Sequence, residues 1–319
     1  MSLNPLHTLR PFVLIPLFAL LLTGNAMGEG NPVFEFLRIP VNARAAALGG
    51  TFVTVRNDPT IMFYNPGGLS TIEHPSASAG FVKHLLDINA GYVTYAQSYD
   101  DLGTFSAGVV YLNAGSFERT DKFAQSTGSF GAADLAVSVG YANTYDNLHY
   151  GASAKVIYSY IDTYNASGLA LDVGAQYYIP DQQVSLGISV LNLGTQLSSY
   201  GEQTEPLPLD VKIGVSKKLE HLPLTVMLNF HKLTEEQEDF LSHFRSFSLG
   251  GEFQFSDVFR ARVGYNNEMR RELKIGTTAG LAGFAAGFGL NISSYALDYA
   301  FTSFGKIGAM HRVSLGTTF

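Results

Sequence analysis

From about residue 75 to the end of the chain, apolar residues alternate with small or polar ones at a period of two, and turn-forming residues interrupt the pattern at short intervals. Between 148 and 160 one face carries Leu148, Tyr150, Ala152, Ala154, Val156, Tyr158 and Tyr160. The opposite face carries His149, Gly151, Ser153, Lys155, Ile157 and Ser159. Leu169, Leu171, Val173, Ala175 and Tyr177 likewise oppose Ala170, Asp172, Gly174 and Gln176. The same reading sets Leu209, Val211, Ile213 and Val215 against Asp210, Lys212, Gly214 and Ser216, and Val313, Leu315, Thr317 and Phe319 against Arg312, Ser314, Gly316 and Thr318. Extended over the chain, the pattern predicts strands at 76–84, 88–98, 104–113, 132–142, 147–160, 167–179, 183–193, 208–218, 222–232, 245–255, 258–267, 281–291, 294–303 and 309–319.

The connections alternate between short and long. Those at 99–103, 144–146, 180–182, 219–221, 256–257 and 292–293 are tight, whereas 114–131, 194–207, 233–244 and 268–280 read as loops. Outer-membrane barrels have short periplasmic turns and longer outer loops, and an even strand number. The apolar faces tend to end in Tyr or Phe, where aromatic girdles sit, and the other face is small and polar, as a crowded lumen requires. The expectation is an all-β protein: a transmembrane antiparallel β-barrel of about 14 strands, integral to the bacterial outer membrane, with both termini periplasmic. Lys155 and Asp172 flank the turn between Tyr160 and Ser167 and are expected to pair on the lumen face.

Residues before 75 follow a different grammar. Residues 1–26 read as a signal peptide: Arg10 precedes the apolar run Pro11–Leu22, and Gly24-Asn25-Ala26 offers small residues for cleavage. Residues 27–74 are expected to be a plug segment folded into the barrel of residues 75–319. Within it, Ala43-Arg44-Ala45-Ala46-Ala47-Leu48 favours a short helix that Gly49-Gly50 stops, and Asn57-Asp58-Pro59 and Asn65-Pro66-Gly67-Gly68 read as turns.

Composition agrees with a membrane barrel. Apolar residues make up 46% and charged residues 15% of the chain, against about 25% charged in ordinary soluble domains. No apolar run after residue 25 is long enough for a spanning helix. There is no cysteine, which removes disulfides and thiolate metal sites, and a net charge of −7 argues against a nucleic-acid binder. No nucleophile elbow, zinc-protease helix or phosphate-binding loop occurs, so no enzyme, cofactor or metal site is expected. The eight His are scattered. His149 and His231 fall on the lumen face, where satisfied polar contacts are the expectation.

Both signs of charge fall on the lumen face, at Lys155, Asp172, Asp210, Lys212, Glu252, Arg260, Arg262, Asp298 and Arg312, and are expected to form a network that fills the barrel and holds the plug through Arg44. Arg270, Arg271 and Lys274 lie on a predicted outer loop and are candidates for lipopolysaccharide or a partner protein.

The opening stretch, with Phe36-Leu37, Pro40, the run from Ala43 and Arg44 to Leu48, Gly49 and Gly50, and Asn65-Pro66 followed by Leu69, resembles the start of the PorV/PorQ family, which is related to FadL-like barrels. Later segments are most similar to its PorQ branch: Leu102-Gly103-Thr104-Phe105, Leu169 to Ala175, Leu191 to Leu197, Arg270-Arg271-Glu272-Leu273-Lys274 and Gly280 to Phe284. The resemblance implies a non-enzymatic component of the type IX secretion system of Bacteroidota-like bacteria. Such a barrel would anchor the cell-surface attachment complex for proteins with C-terminal sorting domains, with PorZ as direct partner alongside PorU and PorV. The alternative is a FadL-like transporter of long-chain fatty acids or other hydrophobic compounds, which shares the plug motif and strand number.

Overall fold

The alternating stretches close on themselves. In the computed structural model, which describes residues 31–83, 88–235, 240–274 and 280–319, fourteen antiparallel strands form a closed barrel. The first five are β1 (Ser76–Lys83), β2 (Asn89–Tyr99), β3 (Gly103–Thr120), β4 (Ser126–Tyr145) and β5 (Leu148–Ile161). Next come β6 (Tyr164–Ile179), β7 (Val184–Ser198), β8 (Asp210–Lys218), β9 (Leu224–Phe230) and β10 (Phe247–Gln254). The last are β11 (Phe259–Asn266), β12 (Phe284–Ile292), β13 (Tyr295–Ser303) and β14 (Ala309–Thr318). Each strand pairs with its sequence neighbours, and β1 closes the ring on β14. The signal-peptide stretch and parts of the acidic 233–244 and basic 268–280 loops lie outside the described residues.

The two faces separate as the period-two pattern demands. On β5, Tyr150, Val156, Tyr158 and Tyr160 point outward and are exposed, while His149, Ser153, Lys155, Ile157 and Ser159 are buried. An exposed ring of aliphatic and aromatic side chains is what a lipid-facing wall requires. Aromatic pairs mark both borders of this band. Tyr99, Phe105 and Tyr141 succeed one another at 5.9 and 5.2 Å near one end. Phe247, Tyr265 and Phe284 do so at 6.2 and 5.0 Å near the other. Phe259 and Tyr265 lie six residues apart on β11, roughly 20 Å along the strand. That suits an apolar band of about 25 Å.

The wall is uneven. The stretches 114–131 and 194–207, expected as loops, are largely strand: β3 and β4 run on to a turn at 121–125, and β7 continues through Ser198. The apolar signal fades there because Ser, Thr, Glu and Arg replace the lipid-facing residues, yet the main chains stay paired, with shifts at Asn113/Gly115 and Arg119/Thr120. The stretch 268–280 begins as helix α2 (Asn267–Glu272), capped by Asn266. Strands β3–β7 therefore rise above β8–β14 on the side of the longer connections, called here the loop end.

Residues 31–75 fill the lumen. Helix α1 (Ala43–Ala47) is capped by Asn42 and ends at Gly49 and Gly50, with φ of 69° and 89°. Two 3-10 turns follow, Pro59–Phe63 and Pro66–Thr71, each begun by an Asp or Asn cap and a Pro. Asp58 accepts from Thr60 N–H and Asn65 from Gly67 N–H, so the predicted turns are helix starts. The segment is received by lumen-facing glycines. A methyl group added at Gly250 would meet the Leu48 carbonyl oxygen at 2.9 Å, at Gly151 the Pro66 carbonyl carbon at 2.8 Å, and at Gly187 the Val53 carbonyl oxygen at 2.8 Å. At Gly264 it would run into the Gly49 nitrogen. Without Cβ atoms on these strands the plug main chain approaches the wall directly.

The two ends of the described chain separate. Phe319 N–H donates to Pro75 O at 2.9 Å, so β1 starts where β14 stops. Val33 N–H instead donates to Pro206 O in the β7–β8 connection, at the loop end. The plug thus runs from the loop end at Val33 to the opposite end at Pro75.

Candidate functional site

Arg44 projects from α1 toward the β10–β13 wall. Its Nε donates to Glu252 Oε2 at 3.0 Å and its Nη2 to Glu252 Oε1 at 2.9 Å, while Nη1 reaches Asp58 Oδ2 at 3.1 Å. Glu252 also accepts from Arg262 Nε at 2.6 Å, and Arg262 hydrogen-bonds Asp298. Burial alone would lower the Arg44 guanidinium; the charges of Glu252 and Asp58 outweigh it and hold it above its ordinary value. These residues alternate three acids and two bases across plug and wall, in the order Asp58, Arg44, Glu252, Arg262, Asp298, and the arrangement fixes the plug in position.

A second buried pair holds a bulge. Lys155 Nζ lies 3.0 Å from Asp172 Oδ2 and donates to Asn192 Oδ1 at 2.6 Å. The strand register places Lys155 opposite Ala170 and Asp172 opposite Ser153, so the pair is diagonal rather than directly opposed. Asp172 Oδ1 accepts the Asn192 N–H at 2.8 Å, and Asn192 is a buried non-glycine residue with φ of 61°. The β6–β7 register shifts here between Leu171 and Val173, and β7–β8 pairing ends at Leu191 and Asp210. Asn192 was hidden in the sequence because Leu191-Asn192-Leu193 reads as an ordinary alternation.

Between plug and loop end lies a cavity of about 550 Å³. Gly49, Gly50 and Tyr64 of the plug form part of its floor; Lys212, Asn229 and Arg312 line the wall; Glu35, Phe36 and Ile39 of the entering chain cross it. Its mouth is ringed by ion pairs. Arg38 meets Glu35 at 3.0 Å and Glu235 at 2.8 Å; Lys232 meets Glu268 at 2.7 Å; His231 meets Glu268 at 2.9 Å. Asp210 pairs with Lys212 at 3.2 Å and accepts the Lys232 N–H at 2.7 Å. Burial alone would raise the Glu268 carboxyl, but hydrogen bonds from His231 and Lys232 hold it down at about 2. Arg38 and Glu268 went unnoticed in the sequence because one lies in the plug and the other on a loop.

Not every expected member joins the lumen network. Arg260 and Arg312 make no ion pair among the described residues, and each leaves its Nε without a partner. Arg260 is repelled by Arg44 of the plug and Arg262 of its own strand, and Arg312 has only the Thr302 hydroxyl. Arg270 folds back onto its own loop, donating to Gly280 O at 3.1 Å and lying 5.9 Å from the Phe284 ring. Arg271 and Lys274 are exposed. His149 Nδ1 is 2.9 Å from Ser70 Oγ, but the charge beside it is Arg56, and a Ser–His pair needs a carboxylate on the far nitrogen to act as a nucleophile system. No cluster of metal-ligating residues occurs among the described residues.

The architecture is that of a closed 14-strand antiparallel β-barrel with an internal plug and a cavity above it. Comparison with solved structures gives the same class. A monoaromatic hydrocarbon channel, the TodX deltaS2S3 mutant, superposes with a TM-score of 0.62 at 12% identity, covering 87% of this chain and 99% of that one. The Pseudomonas putida toluene transporter TodX gives 0.59 at 13% identity, covering 86% and 97%. A Pseudomonas aeruginosa FadL homologue gives 0.54 at 10% identity, covering 88% and 98%. These likenesses establish a shared fold. No family model and no curated protein matches the sequence.

Proposed function

We propose that this chain is an outer-membrane barrel that takes up hydrophobic compounds, which enter from the loop end into the cavity above the plug. The observation that carries the reading is that cavity: about 550 Å³, partly apolar through Phe36, Ile39, Leu112, Phe304 and Met310, and floored by a plug segment. The shared fold with proteins described as a toluene transporter and a FadL homologue supports it. In this reading the tight turns at 100–102, 146–147 and 293–294, and the end where β1 meets β14, face the periplasm, and the tall β3–β7 wall faces outward among the lipopolysaccharide. The chain acts by binding and passage rather than by catalysis. Uptake of labelled toluene and labelled oleate, in cells producing the chain and in cells lacking it, tests the reading. Equal uptake of both in the two strains overturns it.

A second reading is favoured by the raised wall of β3–β7 together with the resemblance to the PorQ branch. Here the barrel anchors the type IX attachment complex, with PorZ docking on the protruding hairpins beside PorU and PorV. Affinity purification from native outer membranes in mild detergent separates the two readings. Stoichiometric attachment components support the anchor, and a barrel recovered alone supports the transporter.

A further inference from the structure

The lipid-facing side of the lower wall, β8–β14, is hollowed. Strand pairing sets Val226, Gly251, Val263 and Ala286 in one row across β9 to β12. Val226, Val263 and Ala286 are exposed on the outer face, and two of the four positions carry only a hydrogen or a methyl group. Larger residues frame the row: Leu249 and Phe284 toward the loop end, Leu224 and Phe253 toward the tight turns. Together with Phe301 they bound an apolar hollow of about 630 Å³. Contact with bulk lipid asks only for an apolar band. A hollow within that band is filled by a chain or loses dispersion contacts along its lining.

Bases stand directly above it. Helix α2 follows β11 at the aromatic border of Phe247, Tyr265 and Phe284, which marks the headgroup level. Its Glu268, Met269, Glu272 and Leu273 line the lumen cavity. Arg270, Arg271 and Lys274 fall at the other helical positions, on the side away from that cavity. The Arg270 guanidinium lies 5.9 Å from the centre of the Phe284 ring, at the lip of the hollow. Arg271 and Lys274 are exposed. Glu268 is engaged by His231 and Lys232, and Glu272, on the cavity side, is the acid that feels the Arg271 charge. Residues 275–279 carry no charge. Lys306, also exposed, adjoins the same rim, since a Cβ on Gly280 would lie 3.9 Å from Gly305. The tall wall differs: its exposed base Arg119 is paired with Asp162.

We propose that the outer face of β9–β13 is a binding site for one lipopolysaccharide molecule, with an acyl chain in the hollow at Gly251 and Ala286 and a headgroup phosphate on Arg271 and Lys274. The proposal uses the outward orientation of the loop end and not uptake itself. Clustered bases at headgroup depth beside an apolar seat are the arrangement that holds a phosphorylated lipid. The Arg271 fork matches two phosphate oxygens at once, and Lys274 adds a compact charge. Lys306 is placed to meet a second phosphate on the same sugar headgroup. Arg270, bonded to Gly280 O, braces the loop that carries the site.

Titration of the delipidated full barrel, in an uncharged maltoside detergent, with fluorescently labelled bisphosphorylated rough lipopolysaccharide tests the proposal. One molecule is expected to bind per barrel. The double variant Arg271→Gln/Lys274→Gln is expected to weaken binding tenfold or more, and Lys122→Gln on the tall hairpin to leave it unchanged. Gly251→Leu fills the hollow from β10 and Ala286→Leu fills it from β12; each is expected to weaken binding several-fold. Dephosphorylated lipopolysaccharide should bind the unsubstituted protein no better than the phosphorylated form binds the double variant. Heat-modifiable migration in gels establishes that each variant is folded. Unchanged affinity in the double variant overturns the proposal and leaves these bases to a protein partner. Unchanged affinity in both filling variants, equal competition by phosphatidylglycerol, or no binding to the unsubstituted barrel also overturns it, and none of these results alters the uptake reading.

Discussion

Arg44 and Glu252 meet through two parallel hydrogen bonds of 2.9 and 3.0 Å that join the plug to the barrel wall. Paired donors and paired acceptors make this contact directional as well as ionic. Glu252 is shared with Arg262, so its loss takes a partner from two buried guanidinium groups and leaves each with one carboxylate, Asp58 or Asp298, whereas loss of Arg44 leaves Glu252 still paired. Glu252→Gln is therefore expected to cost about 3–5 kcal/mol of stability, and Arg44→Ala less. Urea-induced loss of the heat-resistant barrel band measures both. An Arg44→Ala cost equal to or above that of Glu252→Gln contradicts the shared-carboxylate arrangement.

The glycine seat makes a steric prediction. A side chain at Gly264 collides with the Gly49 backbone, while one at Gly251 meets only Leu224 and Val263 side-chain carbons at 3.5 Å on the outer face. Gly264→Val is expected to displace the plug at a cost of about 1–3 kcal/mol, and Gly251→Ala to be tolerated. Planar-bilayer conductance reads the difference: intermittent ion leak in the first variant, none in the second. A silent Gly264→Val barrel of ordinary stability contradicts a plug seated on this row.

The mouth has a pH dependence whose sign follows from Glu268. Its folded value, about 2, lies below the unfolded value near 4.3. The stabilisation it contributes is thus fully present above about pH 4.3 and is lost as pH falls toward about 2. Hydrogen exchange of 231–235 and 267–272, corrected for intrinsic rates, is expected to stay constant between pH 7 and pH 5 and to rise below about pH 4.3. Glu268→Gln should remove that step; a step that persists in this variant assigns it to another group.

The raised wall separates the two functional readings. Replacing 114–131 by a two-residue turn removes the paired extension of β3 and β4 beyond the aromatic border and leaves the β2–β3 register to Asn113 intact. The shortened barrel is expected to fold and to retain hydrophobe uptake. Loss of uptake with the barrel band preserved shows that the hairpin belongs to the transport path.

The barrel was legible because its two faces obey opposite chemical demands. Lipid selects Tyr150, Val156 and Tyr158, the lumen selects Ser153, Lys155 and Ser159, and a period-two backbone writes that contrast directly into the order of residues. The helix stop at Gly49-Gly50 was legible for an equally local reason, since few other residues accept positive φ at a helix end. Tertiary structure alone decided which charges meet. Glu252 takes Arg44 from a segment 208 residues away, and Asp172 finds Lys155 on the diagonal because the strand register sets it so. It also decided that Arg312, identical on paper to its paired neighbours, makes no ion pair among the described residues and bonds the Thr302 hydroxyl instead. Pairing on a lumen face depends on how a separate segment packs within the ring, and no local pattern records that packing.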